Sequence, residues 1–131
     1  MKIEEQVLSR EQMKHLQELG VDTSDASMCW VTGEDTSTDE EEWNLCIPNN
    51  FLMPYNIPTY TIGDLIEKLP KSIDLGFGEY DLELSIKGEY VEVQYENDYD
   101  DYTPFFCANL SLIESLYRIL CWLAENHKEL L

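Results

Sequence analysis

Residues 80–95 read YDLELSIKGEYVEVQY, and this stretch decides the fold. On each side of Gly88, apolar residues alternate with polar ones, which is the pattern of a strand that buries one face. The turn around Gly88 predicts an antiparallel hairpin with one wet face. The inward-facing residues of its second strand are Val91, Val93 and Tyr95. The acidic residues predicted on its exposed side are Asp81, Glu83, Glu89 and Glu92.

Helical and strand patterns continue outward from this hairpin in both directions. Besides the hairpin, the predicted strands cover residues 28–32, 43–47 and 105–107. The predicted helices cover residues 9–19, 62–69 and 110–128. The order α-β-β-α-β-β-(β)-α predicts an α+β fold, with a small antiparallel sheet of about four or five strands and helices packed on one face. The length of 131 residues predicts a single domain over residues 1–131.

Each predicted helix begins at a residue that can cap it. A Ser or Thr hydroxyl can accept from a free backbone amide of the first turn, while an acid or amide three residues later reaches back. The three capping pairs are Ser9 with Gln12, Thr61 with Asp64, and Ser111 with Glu114. Gly20 follows the first helix, where a left-handed residue is favoured.

The composition is strongly acidic, with 27 Asp and Glu against 8 Lys and Arg and a formal net charge of −19. Because phosphate binding draws its affinity from clustered Lys and Arg, direct nucleic-acid binding is disfavoured. Association with an anionic membrane is disfavoured for the same reason. Cationic partners are favoured: a basic protein surface, a polyamine or a divalent metal.

The four cysteines are widely separated and form no C-x-x-C pair, so zinc-finger spacing is absent from the sequence. The first residues lack the apolar run of a signal peptide, and no apolar stretch approaches the length of a membrane span. These features predict a cytoplasmic protein with reduced, mostly buried thiols.

Two acidic segments, residues 33–42 and 96–102, are too polar to pack as core. In the second segment tyrosines alternate with carboxylates, which is typical of a protein interface. The alternative is that these tyrosines fold back on the core. If both segments project from one end of the sheet, they form one continuous negative field. The candidate partner-binding residues are Glu34, Asp35, Asp39, Glu40, Glu41, Glu42, Asp98, Tyr99, Asp100, Asp101 and Tyr102.

Catalytic constellations are not recognisable in the sequence. His15 and His127 are the two imidazole bases, and both are expected to be exposed on helices. Both acidic segments resemble fragments of a calcium-binding loop, but neither has its glycine and final glutamate. We therefore predict no enzyme activity, no catalytic residues, no specific metal site and no cofactor.

Three stretches carry a resemblance: LSREQMKHLQELGVD at 8–22, YTIGDLIEKLPK at 60–71 and LYRILCWL at 116–123. Through them the chain resembles a group of short, acidic, uncharacterised proteins of gut anaerobic bacteria and their prophages or other mobile elements. The resemblance implies a bacterial or phage accessory protein, and it implies no mechanism.

The leading functional hypothesis is a non-enzymatic interaction protein that docks to a basic protein surface. A mobile-element inhibitor or DNA mimic is its concrete form. One alternative is a small-ligand or divalent-metal-binding accessory domain with a pocket lined by Trp30, Trp43, Tyr55 and Tyr60. A second alternative is an enzyme without a recognisable motif. A third is a homodimer in which the final helix is the interface and the acidic face is merely solvated.

Overall fold

A computed structural model describes residues 3–32, 43–47 and 55–131. Contacts along the chain divide it into two compact units, residues 1–64 and 65–131. The prediction of a single domain concerns how these two units associate, and it stays a prediction. No helix in the described ranges combines the length and the apolar character needed to cross a bilayer.

The first unit contains one helix and a three-stranded antiparallel sheet. Helix α1 covers Arg10–Glu18, and the strands are β1 (Met28–Thr32), β2 (Asn44–Cys46) and β3 (Tyr55–Thr59). The strand order is β2-β1-β3, so β1 is central, with Cys29 opposite Cys46 on one side and Pro58 on the other. Pro58 is tolerated because β3 is an edge strand, where a missing ladder donor costs little.

Helix α1 has the predicted cap at its start. The Gln12 amide donates to the Ser9 hydroxyl at 3.1 Å, and the Ser9 amide donates to the Gln12 side chain at 2.9 Å. At the other end Gly20 adopts a φ of 87°, the left-handed conformation expected there. The capping prediction for this helix is therefore confirmed at both ends.

The Leu8 backbone fixes the segment before α1 to the three-stranded sheet. The Leu8 carbonyl accepts from the Thr59 hydroxyl at 2.7 Å and from the Trp30 indole N–H at 3.0 Å. The Leu8 amide donates to the Tyr60 carbonyl at 3.0 Å. Leu8 is fully buried, so these bonds satisfy backbone groups that are withdrawn from water.

The second unit contains a four-stranded antiparallel sheet and a long helix. Its strands are β4 (Ser72–Asp74), β5 (Glu79–Lys87), β6 (Tyr90–Glu96) and β7 (Phe105–Asn109), in that spatial order. Helix α2 (Ile62–Lys68) crosses the division between the units, and helix α3 covers Leu112–Asn126. Short 3-10 helices cover Ile3–Gln6 and Lys128–Leu130.

The predicted hairpin is the centre of this second sheet. Strands β5 and β6 pair from Asp81 opposite Glu96 to Lys87 opposite Tyr90, which leaves a two-residue turn. Gly88 has a φ of 62° at the first turn position, as a type II′ hairpin turn requires. Helix α3 packs on β6 and β7. The buried side chains of this core include Tyr80, Val93, Tyr95, Leu116, Ile119, Leu120 and Leu123.

The α+β class and the three helices are confirmed. The strands, however, form two sheets of three and four strands, where the sequence predicted one small sheet. Strands β3 and β4 were not predicted, because the prolines around β3 indicate irregular chain and β4 has only three residues.

The predicted caps of α2 and α3 also form. At α2 both halves of the capping pair form, between Thr61 and Asp64. At α3 the Glu114 amide donates to the Ser111 hydroxyl, while the Glu114 carboxylate accepts from Arg118.

Candidate functional site

The second acidic segment, residues 96–102, connects β6 to β7, and Asn97 organises it. The Asn97 side-chain oxygen accepts from the Tyr99 amide at 3.1 Å and from the Asp100 amide at 3.0 Å. Its side-chain nitrogen donates to the Glu79 carbonyl at 3.0 Å. A polar side chain that bonds the backbone ahead of it is a turn device, and here it also fixes the turn to the start of β5.

Asp100 holds the other half of the same segment. One carboxylate oxygen accepts from the Tyr102 amide at 2.9 Å, and the other accepts from the Tyr80 hydroxyl at 3.2 Å. Burial raises the pKa of Tyr80, and the negative charge of Asp100 raises it further, so Tyr80 stays a neutral donor. Asp100 therefore acts partly as a structural residue, although its side chain is exposed.

This segment forms one wall of a groove with a volume of about 470 Å³, which we call the acidic groove. The outward-facing side of β5 and the end of β6 form the rest. The lining residues are Phe77, Gly78, Glu79, Asp81, Glu83, Glu96, Asn97, Asp98, Tyr99 and Asp100. Six of these carry carboxylates, and none is basic.

Like charges are held close together in the acidic groove. Asp81 lies directly opposite Glu96 across the β5–β6 pair, an arrangement that is unfavourable without a counter-charge. A hydrogen bond with Glu83 raises the pKa of Glu96, with added contributions from burial and from the charges of Glu83 and Asp98. The side chains of Glu83 and Glu96 thus lie close together, and a positive group is favoured between them.

Exposed aromatic rings border the groove. Tyr99 is 96% exposed and Phe77 is 69% exposed. Phe77, Tyr80 and Tyr102 contact one another, with ring centroids 5.7 to 6.2 Å apart. The tyrosines were predicted either to form an interface or to fold back on the core, and different residues fit each interpretation. Tyr95 belongs to the core, Tyr102 packs on its neighbours at the surface, and Tyr99 extends into solvent.

Five of the predicted partner-binding residues fall in this described segment, and three of them, Asp98, Tyr99 and Asp100, line the groove. The five residues are Asp98, Tyr99, Asp100, Asp101 and Tyr102, all exposed. The other six lie outside the described residues: Glu34, Asp35, Asp39, Glu40, Glu41 and Glu42. The convergence of the two acidic segments therefore stays a prediction.

The sequence analysis did not assign the strand residues of the groove to the site. It placed Asp81 and Glu83 on the wet face of the hairpin, and both are exposed there. The signal that could have found them is the pairing itself, because the segment after β6 begins opposite the start of β5. Acidic residues at that start therefore lie beside the acidic segment.

The predicted lining residues of the alternative ligand pocket that the structure describes each make a specific contact. The Trp30 indole bonds the Leu8 carbonyl, and the Tyr60 hydroxyl bonds the Asp25 carboxylate at 2.6 Å inside the first unit. Trp43 stacks under the Arg10 guanidinium at 4.6 Å. The Tyr55 side chain lies outside the described part of the chain. The alternative ligand pocket stays a prediction.

The candidate catalytic and metal-binding groups lie in unremarkable surroundings. His15 is exposed on α1, as expected. His127 follows α3 and is half-buried, with its ring edge-on to Trp122 at a centroid distance of 5.0 Å, so its expected exposure on a helix is wrong. In the ranges that the structure describes, no three His, Cys, Asp or Glu side chains are placed to hold a metal ion. The prediction that the protein is not an enzyme stays a prediction.

No family model, no curated protein and no solved structure matches this chain. The resemblance to acidic proteins of mobile elements therefore stays a prediction.

Proposed function

We propose that the chain is a non-enzymatic interaction protein that binds a basic protein surface through the acidic groove. The single observation that supports this most is the six carboxylates lining one groove without a basic residue among them. An unbalanced negative field of this kind raises the encounter rate with a cationic partner.

The geometry of the groove favours binding of individual Lys and Arg side chains over a non-specific layer of counter-ions. A Lys or Arg inserted between Glu83 and Glu96 would relieve the repulsion between the two carboxylates. Tyr99 at the rim supplies an exposed ring for stacking on an arginine. The groove thus combines charge with an aromatic contact, a combination common in protein interfaces.

The concrete form of the proposal is an inhibitor that occupies the nucleic-acid-binding surface of another protein. Such a surface is built to bind rows of phosphates with Lys and Arg. Carboxylates carried on a strand and on a fixed loop present a comparable row of negative charges. The resemblance to mobile-element proteins is consistent with this role.

The test uses a fluorescent peptide of alternating Arg and Lys as the cationic probe, with binding followed by anisotropy. The groove variant Glu79→Gln/Asp81→Asn/Asp98→Asn removes three charges from the groove lining while preserving side-chain shape. We expect about a tenfold loss of affinity, since exposed charges contribute modestly and additively. For the native chain, affinity should also fall between about 50 mM and about 300 mM NaCl as screening increases.

The matched control Glu11→Gln/Glu67→Gln/Glu125→Gln removes the same charge from exposed helix positions. We expect it to change affinity by less than about twofold, which corresponds to loss of long-range attraction only. Equal losses in the two triple variants would show that net charge, and not the groove, attracts the probe. Absence of binding by the native chain at low salt would contradict the proposal directly.

A further inference from the structure

Strand β5 is longer than the strand that covers its edge. Strand β4 pairs only with Glu79, Tyr80 and Asp81, and the Leu82 amide makes one more bond, to the Lys71 carbonyl at 2.9 Å. In the part of the chain that the structure describes, no strand pairs with residues 83–87 on this side. More than half of β5 is thus a sheet edge.

The backbone direction along this edge follows from the Leu82 bond. Because that amide points toward β4, and because backbone groups alternate sides along an antiparallel strand, the amides and carbonyls of Leu84 and Ile86 point outward. Their side chains are on the apolar face of the sheet, where Leu84 is 39% exposed and Ile86 is 82% exposed. The edge therefore offers both backbone bonding groups and apolar contact area.

Natural proteins usually protect such an edge, because unpaired backbone groups beside apolar side chains invite another strand. Here the residues from 83 to 87 are Glu, Leu, Ser, Ile and Lys. The order of these residues indicates which kind of strand can pair with the edge.

The segment is complementary to itself in the antiparallel direction. In a two-fold arrangement centred on Ser85, Glu83 of one copy lies opposite Lys87 of the other, and Leu84 lies opposite Ile86. The outward-pointing groups of Leu84 and Ile86 then face one another, as the antiparallel ladder requires. Charge, apolar contact and backbone direction thus agree on one register.

We infer that residues 83–87 are a self-association edge, through which two copies of the chain join their sheets in antiparallel register about Ser85. A second copy is the occupant because the edge pairs its own charges. An all-cationic peptide would leave Lys87 facing a like charge. The surface is separate from the residues that the function proposal needs, apart from Glu83.

Two physical facts set the strength of the dimer. The pairing uses five residues of each copy, whereas a standard interface buries about 1,600 Å² and uses roughly 20–30 residues on each side. Each copy also carries a net charge of −19, so the two copies repel each other until salt screens them. The dimer is therefore weak and strengthened by salt, whereas binding of a basic partner is weakened by salt.

The first experiment is sedimentation of the full chain over about a hundredfold range of concentration, at about 50 mM and about 500 mM NaCl. We expect the average mass to rise with concentration, and to rise more at high salt. Lys87→Glu places like charges opposite each other twice, and should raise the dimer dissociation constant about tenfold. Glu83→Lys/Lys87→Glu restores both pairs and the net charge, and should return the constant to within about threefold of the native value.

Two matched controls separate the edge from general charge. Lys14→Glu changes the net charge as Lys87→Glu does, but at an exposed site on α1, and should leave dimerisation within about twofold. Leu110→Lys, at a residue 78% exposed outside the edge, is the control for Ile86→Lys, which should abolish the dimer. A monomer at all concentrations and both salt levels would overturn the inference. So would a dimer that Lys87→Glu and Ile86→Lys leave intact.

A second experiment tests the register. Ser85 pairs with its own copy at a position where opposing Cα atoms approach to about 4.5 Å, within reach of a disulfide. In oxidised glutathione, Ser85→Cys should therefore form a covalent dimer about tenfold faster than Tyr99→Cys, which carries an equally new cysteine at the groove rim. Equal rates for the two variants would contradict the two-fold register.

Discussion

The two ends of the β5–β6 hairpin share the same alternation of apolar and polar residues, but they have different surroundings. At the covered end, residues 79–82 and 95–96, strand β4 completes the sheet, and Tyr80 and Tyr95 are fully buried. At the turn end, residues 84–91, the same face carries Leu84 and Ile86, and both are exposed. Alternation therefore determines which face a side chain occupies, while neighbouring elements determine whether that face is buried.

The covered end also satisfies its polar groups. The Tyr95 hydroxyl donates to the Pro70 carbonyl at 2.7 Å, and the Tyr80 hydroxyl donates to Asp100. Tyr95 and Phe105 both pack near the Trp122 ring of α3, with centroids 6.3 Å and 5.5 Å from it. Packing and satisfied polar groups are thus concentrated at one end of the hairpin, while Leu84 and Ile86 at the other end are exposed.

The largest expected difference between the two ends comes from truncating one apolar side chain at each. Tyr95→Ala should lower the free energy of unfolding by about 4 kcal/mol, because it leaves a cavity under α3. Ile86→Ala should change it by less than about 0.5 kcal/mol, since the side chain is already in water. Urea unfolding of each variant at low protein concentration measures both values.

Low concentration matters because self-association through Ile86 would add stability by mass action. A loss of more than about 2 kcal/mol in Ile86→Ala under these conditions would mean that the turn end is packed within the monomer. The contrast between the ends, and with it the free edge, would then be wrong.

The hairpin comparison also shows how far sequence reasoning reaches. The alternation of residues 80–95 predicted the strands, their faces and the turn at Gly88, because these depend on local periodicity and on one glycine. It predicted Val91, Val93 and Tyr95 as inward-facing, and Val93 and Tyr95 are fully buried while Val91 is half-buried. Strand β4 was missed, so the boundary between covered and free edge could not be seen.

The candidate site was predictable to a similar degree. The composition of residues 96–102 indicated an acidic, tyrosine-containing surface. In the structure Tyr99 is exposed beside the six carboxylates of the groove. The contribution of Glu79, Asp81 and Glu83 depends on cross-strand register, which periodicity does not fix. The division of the strands into two sheets depends on long-range pairing and was equally out of reach.

A smaller difference is expected from adding one methyl group at each end. A Cβ at Gly78 would lie 2.8 Å from the Tyr80 hydroxyl and 3.1 Å from its ring, and this ring is buried and bonded to Asp100. Gly78→Ala should therefore cost about 2 kcal/mol through overpacking. At Gly88 the added Cβ meets nothing within 4 Å, and only the φ of 62° opposes it, so Gly88→Ala should cost about 1 kcal/mol.

The double variants Gly78→Ala/Tyr80→Phe and Gly88→Ala/Tyr80→Phe separate these two causes. Removing the Tyr80 hydroxyl should recover part of the Gly78→Ala loss and none of the Gly88→Ala loss. Thermal unfolding of the native chain, the three single variants and the two double variants checks this. Equal recovery at both glycines would show that the covered end is not tightly packed around Tyr80.

The smallest effect concerns one oxygen atom and depends on pH. Tyr95→Phe removes the bond to Pro70 and should cost about 1 kcal/mol at neutral pH. Burial raises the pKa of Tyr95 well above its ordinary value, so the folded chain keeps the phenol neutral while the unfolded chain ionises above about pH 10. The stability that Tyr95 contributes is therefore complete below pH 10 and is lost as the pH rises above it, by about 1.4 kcal/mol per pH unit. The difference in unfolding free energy between the native chain and Tyr95→Phe should be constant from pH 7 to pH 9 and should shrink to zero or reverse near pH 11.

Urea unfolding at each pH measures this difference directly, and taking the difference cancels the contribution of the other tyrosines that ionise in the same range. A difference that stays constant through pH 11 would mean that Tyr95 ionises equally in the folded chain, and the covered end would then be as open to water as the turn end.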